Sequence, residues 1–178
     1  MRKNTRNMKY FILILLFTTG VNYTFGQKLV KNEVDEFTGK IVKETSWETL
    51  NKKSELYSYV RFRKVDSTTY FVFKMMIGNT VYSVDKGEVL YLKFTDNEIV
   101  KLSNSEYQLT TYGGGATGLA GSKMLGVELT CIINKETLLK LEEKTLVKVR
   151  VYTSDGYVEA EVKEKQAENF KELAKLIN

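Results

Sequence analysis

Alternation of apolar and polar side chains is the feature that most constrains the fold of this chain. In two runs between positions 56 and 77, apolar residues recur at alternate positions, first Val60 and Phe62 and then Phe71, Phe73, Met75 and Ile77, and Val, Ile, Tyr, Phe and Thr predominate. A period of two is typical of strands with one buried and one solvated face. Because helical spacing is rare, we predict a mainly β (α+β) fold, an antiparallel sheet or a sandwich of roughly nine strands.

The first predicted hairpin turns at Asp66-Ser67. A two-residue turn there sets Phe62 opposite Phe71 and Val60 opposite Phe73, so that the apolar faces of both strands coincide. We expect this aromatic face to be buried.

A second hairpin is predicted near the C-terminus, where Asp155-Gly156 has the composition of a type I′ turn. Counting outward from that turn pairs Val151 with Ala160 and Arg150 with Glu161. A one-residue slip would place valines opposite glutamates, so this register is the one that we predict.

The remaining elements follow from shorter patterns. Further strands are predicted over 41–47, 81–84, 88–95, 99–103, 106–112 and 125–133. Asn134 is a candidate N-cap for a short internal helix that carries Leu138 and Leu141. Positions 166–177 have apolar residues at helical spacing, which predicts an amphipathic C-terminal helix over an apolar sheet face.

The N-terminus resembles a cleavable secretory signal peptide. A basic start is followed by an apolar run over 10–17, which is shorter than the roughly 20 residues that a bilayer span needs. Thr24-Phe25-Gly26 offers small residues for cleavage before Gln27. We therefore predict a signal peptide over 1–26, a single exported β-rich domain over 27–178, and a periplasmic or extracellular location. A retained anchor is the alternative.

Removal of this leader changes the charge balance. The whole chain has 27 Lys and Arg against 22 Asp and Glu, and the leader holds four of the cations and none of the acids. The near-neutral remainder gives no reason to expect a nucleic-acid partner, and no integral membrane span is expected after cleavage.

The chain contains no histidine. A Ser-His-Asp triad, a Cys-His dyad and the usual His-containing zinc sites are therefore impossible. The single cysteine, Cys131, falls on the apolar side of its strand, where we expect a buried and unreactive thiol. We predict no catalytic residues, no metal, no cofactor and no enzyme activity.

A glycine-rich stretch occupies the Gly113–Gly126 region. It departs from a phosphate-binding loop, because Gly115 and Gly121 enclose five residues and Ser122 precedes Lys123. We predict a long connection between strands. The alternative is a mobile loop that closes over a ligand.

Tyrosines and cations recur on the polar faces of the predicted strands. Tyr57, Tyr59, Arg61 and Arg63 share one side of a strand and form the candidate ligand-binding face. The wider set adds Tyr70, Lys74, Tyr91, Lys93, Lys148, Arg150 and Tyr152. Such a surface suits sugar rings and anionic groups. The simpler interpretation is a set of solvated cross-strand pairs.

Three short segments carry a resemblance to a known family. Positions 34–39 (VDEFTG) followed by 45–48 (TSWE), together with 149–157 (VRVYTSDGY), resemble exported, functionally uncharacterised proteins of Bacteroidetes-type bacteria. The resemblance implies a periplasmic or cell-surface setting and no particular active residues.

From these observations we expect a non-catalytic binding or envelope-associated module with an envelope glycan or a protein as its partner. The alternative is a carboxylate-dependent hydrolase of envelope or extracellular glycans, since two acids distant along a chain can share a cleft.

Overall fold

The fold is mainly antiparallel β, as predicted. A computed structural model describes residues 28–53, 56–78, 80–112 and 125–178. The strands are β1 (Leu29–Val34), β2 (Ile41–Thr45), β3 (Glu48–Lys53), β4 (Leu56–Val65), β5 (Thr68–Ile77), β6 (Ser83–Val84), β7 (Val89–Phe94), β8 (Ile99–Ser103), β9 (Gln108–Leu109), β10 (Thr111–Tyr112), β11 (Leu125–Ile133), β12 (Leu146–Thr153) and β13 (Gly156–Glu161). The helices are α1 (Lys135–Glu143) and α2 (Glu164–Lys175).

The strands form more than one sheet. Seven of them make a sheet in the order β1-β2-β4-β5-β11-β10, with β3 also paired to β4. A four-stranded sheet has the order β13-β12-β7-β8, and β6 pairs with β9. The described residues therefore contain thirteen strands rather than about nine, and two large sheets rather than a single curved one.

One hydrophobic core receives side chains from both large sheets and both helices. At its centre the ring of Phe62 lies 5.5 Å from that of Phe71 and 5.8 Å from that of Phe170 on α2. Phe71 and Phe73 are buried, as predicted, and so are Val149, Val151 and Phe170. Cys131 is also buried, and its burial raises the pKa of the thiol to about 12.

Asn104 closes the corner where the two large sheets meet. It follows β8, forms a bridge with Cys131 of β11, and is buried. Its side-chain amide donates hydrogen bonds to the carbonyl oxygens of Asp85, at 3.2 Å, and Glu106, while its oxygen accepts one from Thr130 N. All of the polar atoms of this buried amide are thereby satisfied.

The hairpin of β4 and β5 has the predicted register. Phe62 lies opposite Phe71, Val60 lies opposite Phe73, and the turn is Asp66-Ser67. Asp66 takes a positive φ of 51°, which aspartate tolerates better than most residues.

The register predicted for β12 and β13 is wrong by two residues. Val151 pairs with Val158 and Arg150 with Glu159, because Gly156 closes the hairpin opposite Thr153 instead of occupying its turn. Gly156 has φ +100°, so its positive φ is used one position later than in a type I′ turn. An even shift preserves the faces, and Val151 stays in the core.

Both helices occur where the sequence predicts them. The Asn134 side chain accepts a hydrogen bond of 2.8 Å from Thr137 N and so caps α1. The apolar residues of α2 are buried together, namely Ala167, Phe170, Leu173 and Ala174. Neither helix in the described part of the chain is long and apolar enough to cross a membrane.

Candidate functional site

The structure divides the predicted tyrosines and cations between the outer faces of two sheets. On the seven-stranded sheet lie Tyr57, Tyr59, Arg61, Arg63, Tyr70 and Lys74. On the four-stranded sheet lie Tyr91, Lys93, Lys148, Arg150 and Tyr152. We call the first surface the Trp47 face, after the indole that covers it, and define it by Glu44, Trp47, Arg61, Lys74 and Glu128. The second is the tyrosine groove, lined by Tyr91, Lys93, Ile99, Lys148, Arg150, Tyr152 and Glu159.

A break between β2 and β3 places Trp47 on its face. Both strands pair with β4, and the residues between them interrupt the ladder. The Thr45 hydroxyl accepts a 2.9 Å hydrogen bond from Phe62 N and donates one to Phe62 O, so it replaces a missing backbone partner. Trp47 then lies over two cations, with Arg61 Cζ 4.5 Å and Lys74 Nζ 4.1 Å from its ring centre.

Carboxylates neutralise the cations beneath this indole. Arg61 donates a hydrogen bond to Glu44, whose side chain is only 12% exposed. Glu128 lies 3.4 Å from Lys74 Nζ and 3.7 Å from Arg61 Nη2. Burial lowers the pKa of Lys74, and the negative charge of Glu128 partly opposes that shift. The cations of the Trp47 face are thus largely paired with carboxylates of the same chain.

The four residues of the predicted ligand-binding face separate into two pairs. Arg61 and Arg63 line a cavity of about 450 Å³, whereas Tyr57 and Tyr59 lie farther along β4 and do not line it. Burial raises the pKa of the Tyr59 hydroxyl.

The predicted loop over this face lies mostly outside the described residues, since positions 113–124 are not described. Its described end is close to the predicted face. Gly126 pairs with Met76, which in turn lies opposite Tyr57.

The tyrosine groove is built by the register of β12 against β7. Arg150 lies opposite Tyr91 and Lys148 lies opposite Lys93, which brings side chains of two strands around a cavity of about 290 Å³. The Tyr91 and Tyr152 rings meet edge to face at 5.7 Å. This geometry is a favourable aromatic contact that holds both rings in place at the surface.

A single carboxylate serves two of the cations that line the groove. Glu159 accepts hydrogen bonds from Lys148 Nζ, at 3.0 Å, and Arg150 Nε, at 2.6 Å. Both bonds lower the pKa of Glu159, and the bond from Lys148 has the larger effect. Lys93 has no hydrogen bond or ion pair with any residue that the structure describes, although it faces Lys148 directly.

Several important residues were missed by sequence reasoning as parts of a site. Trp47 was placed at the end of a predicted strand, and Glu159 was left out of the candidate face. Tyr157 packs 5.9 Å from Tyr152 and under Arg150, whose Cζ lies 4.4 Å from the Tyr157 ring centre. The observed hairpin register puts Glu159 opposite Arg150 and Tyr157 opposite Tyr152. The sequence signal that could have indicated this register is the position of Gly156.

Comparisons with known proteins do not add a family. No protein-family model, no curated protein and no solved structure matches this chain. Among the described residues, no cluster of three or more Asp, Glu or Cys side chains could hold a metal ion.

Proposed function

We propose that the protein is an exported, non-catalytic binding module that holds acidic carbohydrate chains in its tyrosine groove. The observation that carries this proposal is the direct opposition of Lys93 and Lys148 across two strands. Like charges in this position destabilise a sheet. An anionic group bound between the two ammonium groups would remove that repulsion.

The neighbouring tyrosine suggests what accompanies the anion. Tyr91 precedes Lys93 by two residues on the same face, a separation of about 7 Å along a strand. A sugar ring stacked on Tyr91 would therefore place a carboxylate or sulfate substituent of the same or the next ring near Lys93. Stacking on tyrosine suits sugar rings, and ammonium groups suit the anion.

Export and family membership belong to this proposal as well. They are supported by the composition of residues 1–26 and by the resemblance of three sequence segments. An envelope or extracellular location would bring the groove into contact with acidic polysaccharides.

A glycan hydrolase is supported less well. Its general acid needs a carboxyl group with a raised pKa. Where the pKa of a described carboxyl group is shifted, the shift is downward, as in Asp35, Asp96, Glu98 and Glu159. The hydrolase therefore stays a prediction.

The test is a binding measurement with three probes: oligosaccharides of dextran sulfate, of polygalacturonate and of neutral dextran. We expect the two anionic probes to bind in a salt-dependent manner and dextran to bind weakly or not at all. Lys93→Met should lower the affinity for both anionic probes about tenfold, the loss of one charge-assisted contact. Tyr91→Ala should weaken binding of the oligosaccharides more than binding of inorganic sulfate.

The control is Arg63→Met, which removes an exposed cation from the seven-stranded sheet, next to the Trp47 face and away from the tyrosine groove. Equal losses in Lys93→Met and Arg63→Met would show binding to net charge and would contradict the groove. Absence of binding to both anionic probes would contradict the proposed ligand class.

A further inference from the structure

The outer edge of β1 is open. β1 ends the seven-stranded sheet, pairs with β2 on one side, and has no strand on its other side among the described residues. Five of its six residues are exposed. Such an edge presents free backbone donors and acceptors that invite another strand.

The hairpin bonds show which backbone groups point outward. Asp35 N donates to Lys40 O and Gly39 N donates to Asp35 O, both at 2.8 Å, so the polar groups of Asp35 point towards β2. Backbone groups alternate in direction along a strand. Those of Glu33 therefore also point towards β2, and those of Asn32 and Val34 point to the open edge.

The charged side chains that flank Asn32 would be complementary between two antiparallel copies of β1. Lys31 precedes Asn32 and Glu33 follows it; within one chain Lys31 Nζ lies 3.6 Å from Glu33 Oε1, and both side chains are more than half exposed. If the strand meets a copy of itself in antiparallel orientation with Asn32 at the centre, each Lys31 lies opposite the Glu33 of the other copy. Opposite charges in directly opposed positions stabilise strand pairing.

We propose that β1 pairs with β1 of a second copy of this chain, about a two-fold axis at Asn32. The outward N–H and C=O groups of the two Asn32 residues bond to each other, which matches the narrow hydrogen-bonded pair of an antiparallel ladder. The pairing uses the same surface on both copies, so it closes as a dimer and leaves neither edge open.

Hydrogen bonds within the β1–β2 turn hold the hairpin in one conformation before any second copy binds. The Asp35 carboxylate accepts hydrogen bonds from Phe37 N at 3.1 Å, from Thr38 N at 2.8 Å and from the Thr38 hydroxyl at 2.8 Å. A fixed turn reduces the ordering that strand addition requires. The bulge at Val30, between the paired residues Leu29 and Lys31, limits the regular stretch to a few residues, so the dimer depends on the charge pairs.

The first experiment is site-specific cross-linking of the purified protein under mild oxidation. Asn32→Cys should give a disulfide-linked dimer, because directly opposed Cα atoms about 5.5 Å apart fit disulfide geometry. Lys31→Cys should give far less, since the two Cα atoms would be about 8 Å apart. The native Cys131 is buried, so the unchanged chain is the background control. Equal cross-linking of the two variants, or none in Asn32→Cys, would overturn the proposal.

The second experiment reverses the charges and measures dimer dissociation by sedimentation. Lys31→Glu and Glu33→Lys should each raise the dissociation constant about tenfold, since every change affects two symmetric pairs. The double variant should restore dimer formation to nearly the original level. Additive weakening in the double variant would contradict this register, and thermal unfolding of the monomer confirms that every variant is folded.

Discussion

The Trp47 face and the tyrosine groove contain the same residue types and use them differently. On the Trp47 face, Glu44 and Glu128 approach Arg61 and Lys74 from neighbouring strands, and the indole covers the cations. In the groove, the only lining carboxylate is Glu159, which leaves Lys93 unpaired within the described part of the chain. Tyrosines and cations on a sheet thus indicate a binding surface only where the protein does not supply their counterions.

The largest expected difference concerns removal of a carboxylate from each surface. Glu44→Ala leaves Arg61 without its main partner in a nearly buried setting, and we expect the free energy of unfolding to fall by about 3 kcal/mol. Glu159→Ala exposes Lys148 and Arg150 to water and should leave stability nearly unchanged. Chemical denaturation of both variants measures the difference.

The same pair of variants also separates the surfaces by binding. Glu159→Ala should strengthen binding of dextran sulfate, because two cations lose their internal competitor, while Glu44→Ala should not. A comparable loss of stability in both variants would show that the groove is as structural as the Trp47 face.

The next prediction concerns the strand break that places Trp47. Thr45→Val keeps the side-chain shape but leaves the buried Phe62 N–H without an acceptor, which should cost about 2 kcal/mol. Thr45→Ser keeps the hydroxyl and is the matched control. The result would contradict our account if valine were tolerated better than serine, and tryptophan fluorescence reports whether the indole stays over its cations.

A pH dependence should distinguish the groove. The pKa of Glu159 lies below its ordinary value of 4.5, so its ion pairs with Lys148 and Arg150 are present above that pH and are lost as pH falls through the lowered pKa. Protonation releases Lys148 and Arg150, and a sulfate ester stays ionised. Affinity for dextran sulfate should therefore rise about tenfold as pH falls from 5 through the lowered pKa. Glu159→Gln should bind tightly on both sides of that pKa, and a wild-type-like pH dependence in that variant would assign the effect elsewhere.

The smallest effect is expected for Arg63, which lies next to the Trp47 face. Its guanidinium is about half exposed and lies 3.9 Å from Glu44, so Arg63→Met should change the free energy of unfolding by less than about 0.5 kcal/mol. A loss of several times that size, measured by denaturation, would show that Arg63 belongs to the stabilising network of Glu44 and Arg61.

The sequence was most informative where side-chain pattern and turn agreed. The β4–β5 register follows from matched apolar faces and a two-residue turn. For β12 and β13 the side-chain pattern cannot distinguish registers that differ by two residues, so the position of the turn alone determines the register. The turn residues are Ser154 and Asp155, and Gly156 pairs with Thr153 directly after them. β3 was not predicted, because Leu50 is its only large apolar residue. β1 was not predicted, because both of its faces are exposed.

The candidate site was harder to predict for a different physical reason. Alternation correctly assigns Arg61 and Arg150 to the sheet faces that point away from the core, but it does not show which acids meet them. Glu44, Glu128 and Glu159 reach these guanidinium groups from other strands, and their positions depend on strand order and register. Counterion supply is a property of the assembled sheet and is not visible in any one strand.

The ring of Phe170 has a consequence for the order of folding. It completes the aromatic cluster with Phe62 and Phe71, yet it enters the chain more than 100 residues after Phe62. Because synthesis runs from the N-terminus to the C-terminus, the centre of the core stays open until the last helix has been made. Contacts between such distant residues also form slowly. The β4–β5 hairpin, which brings Phe62 and Phe71 together, can therefore form well before the aromatic cluster is complete.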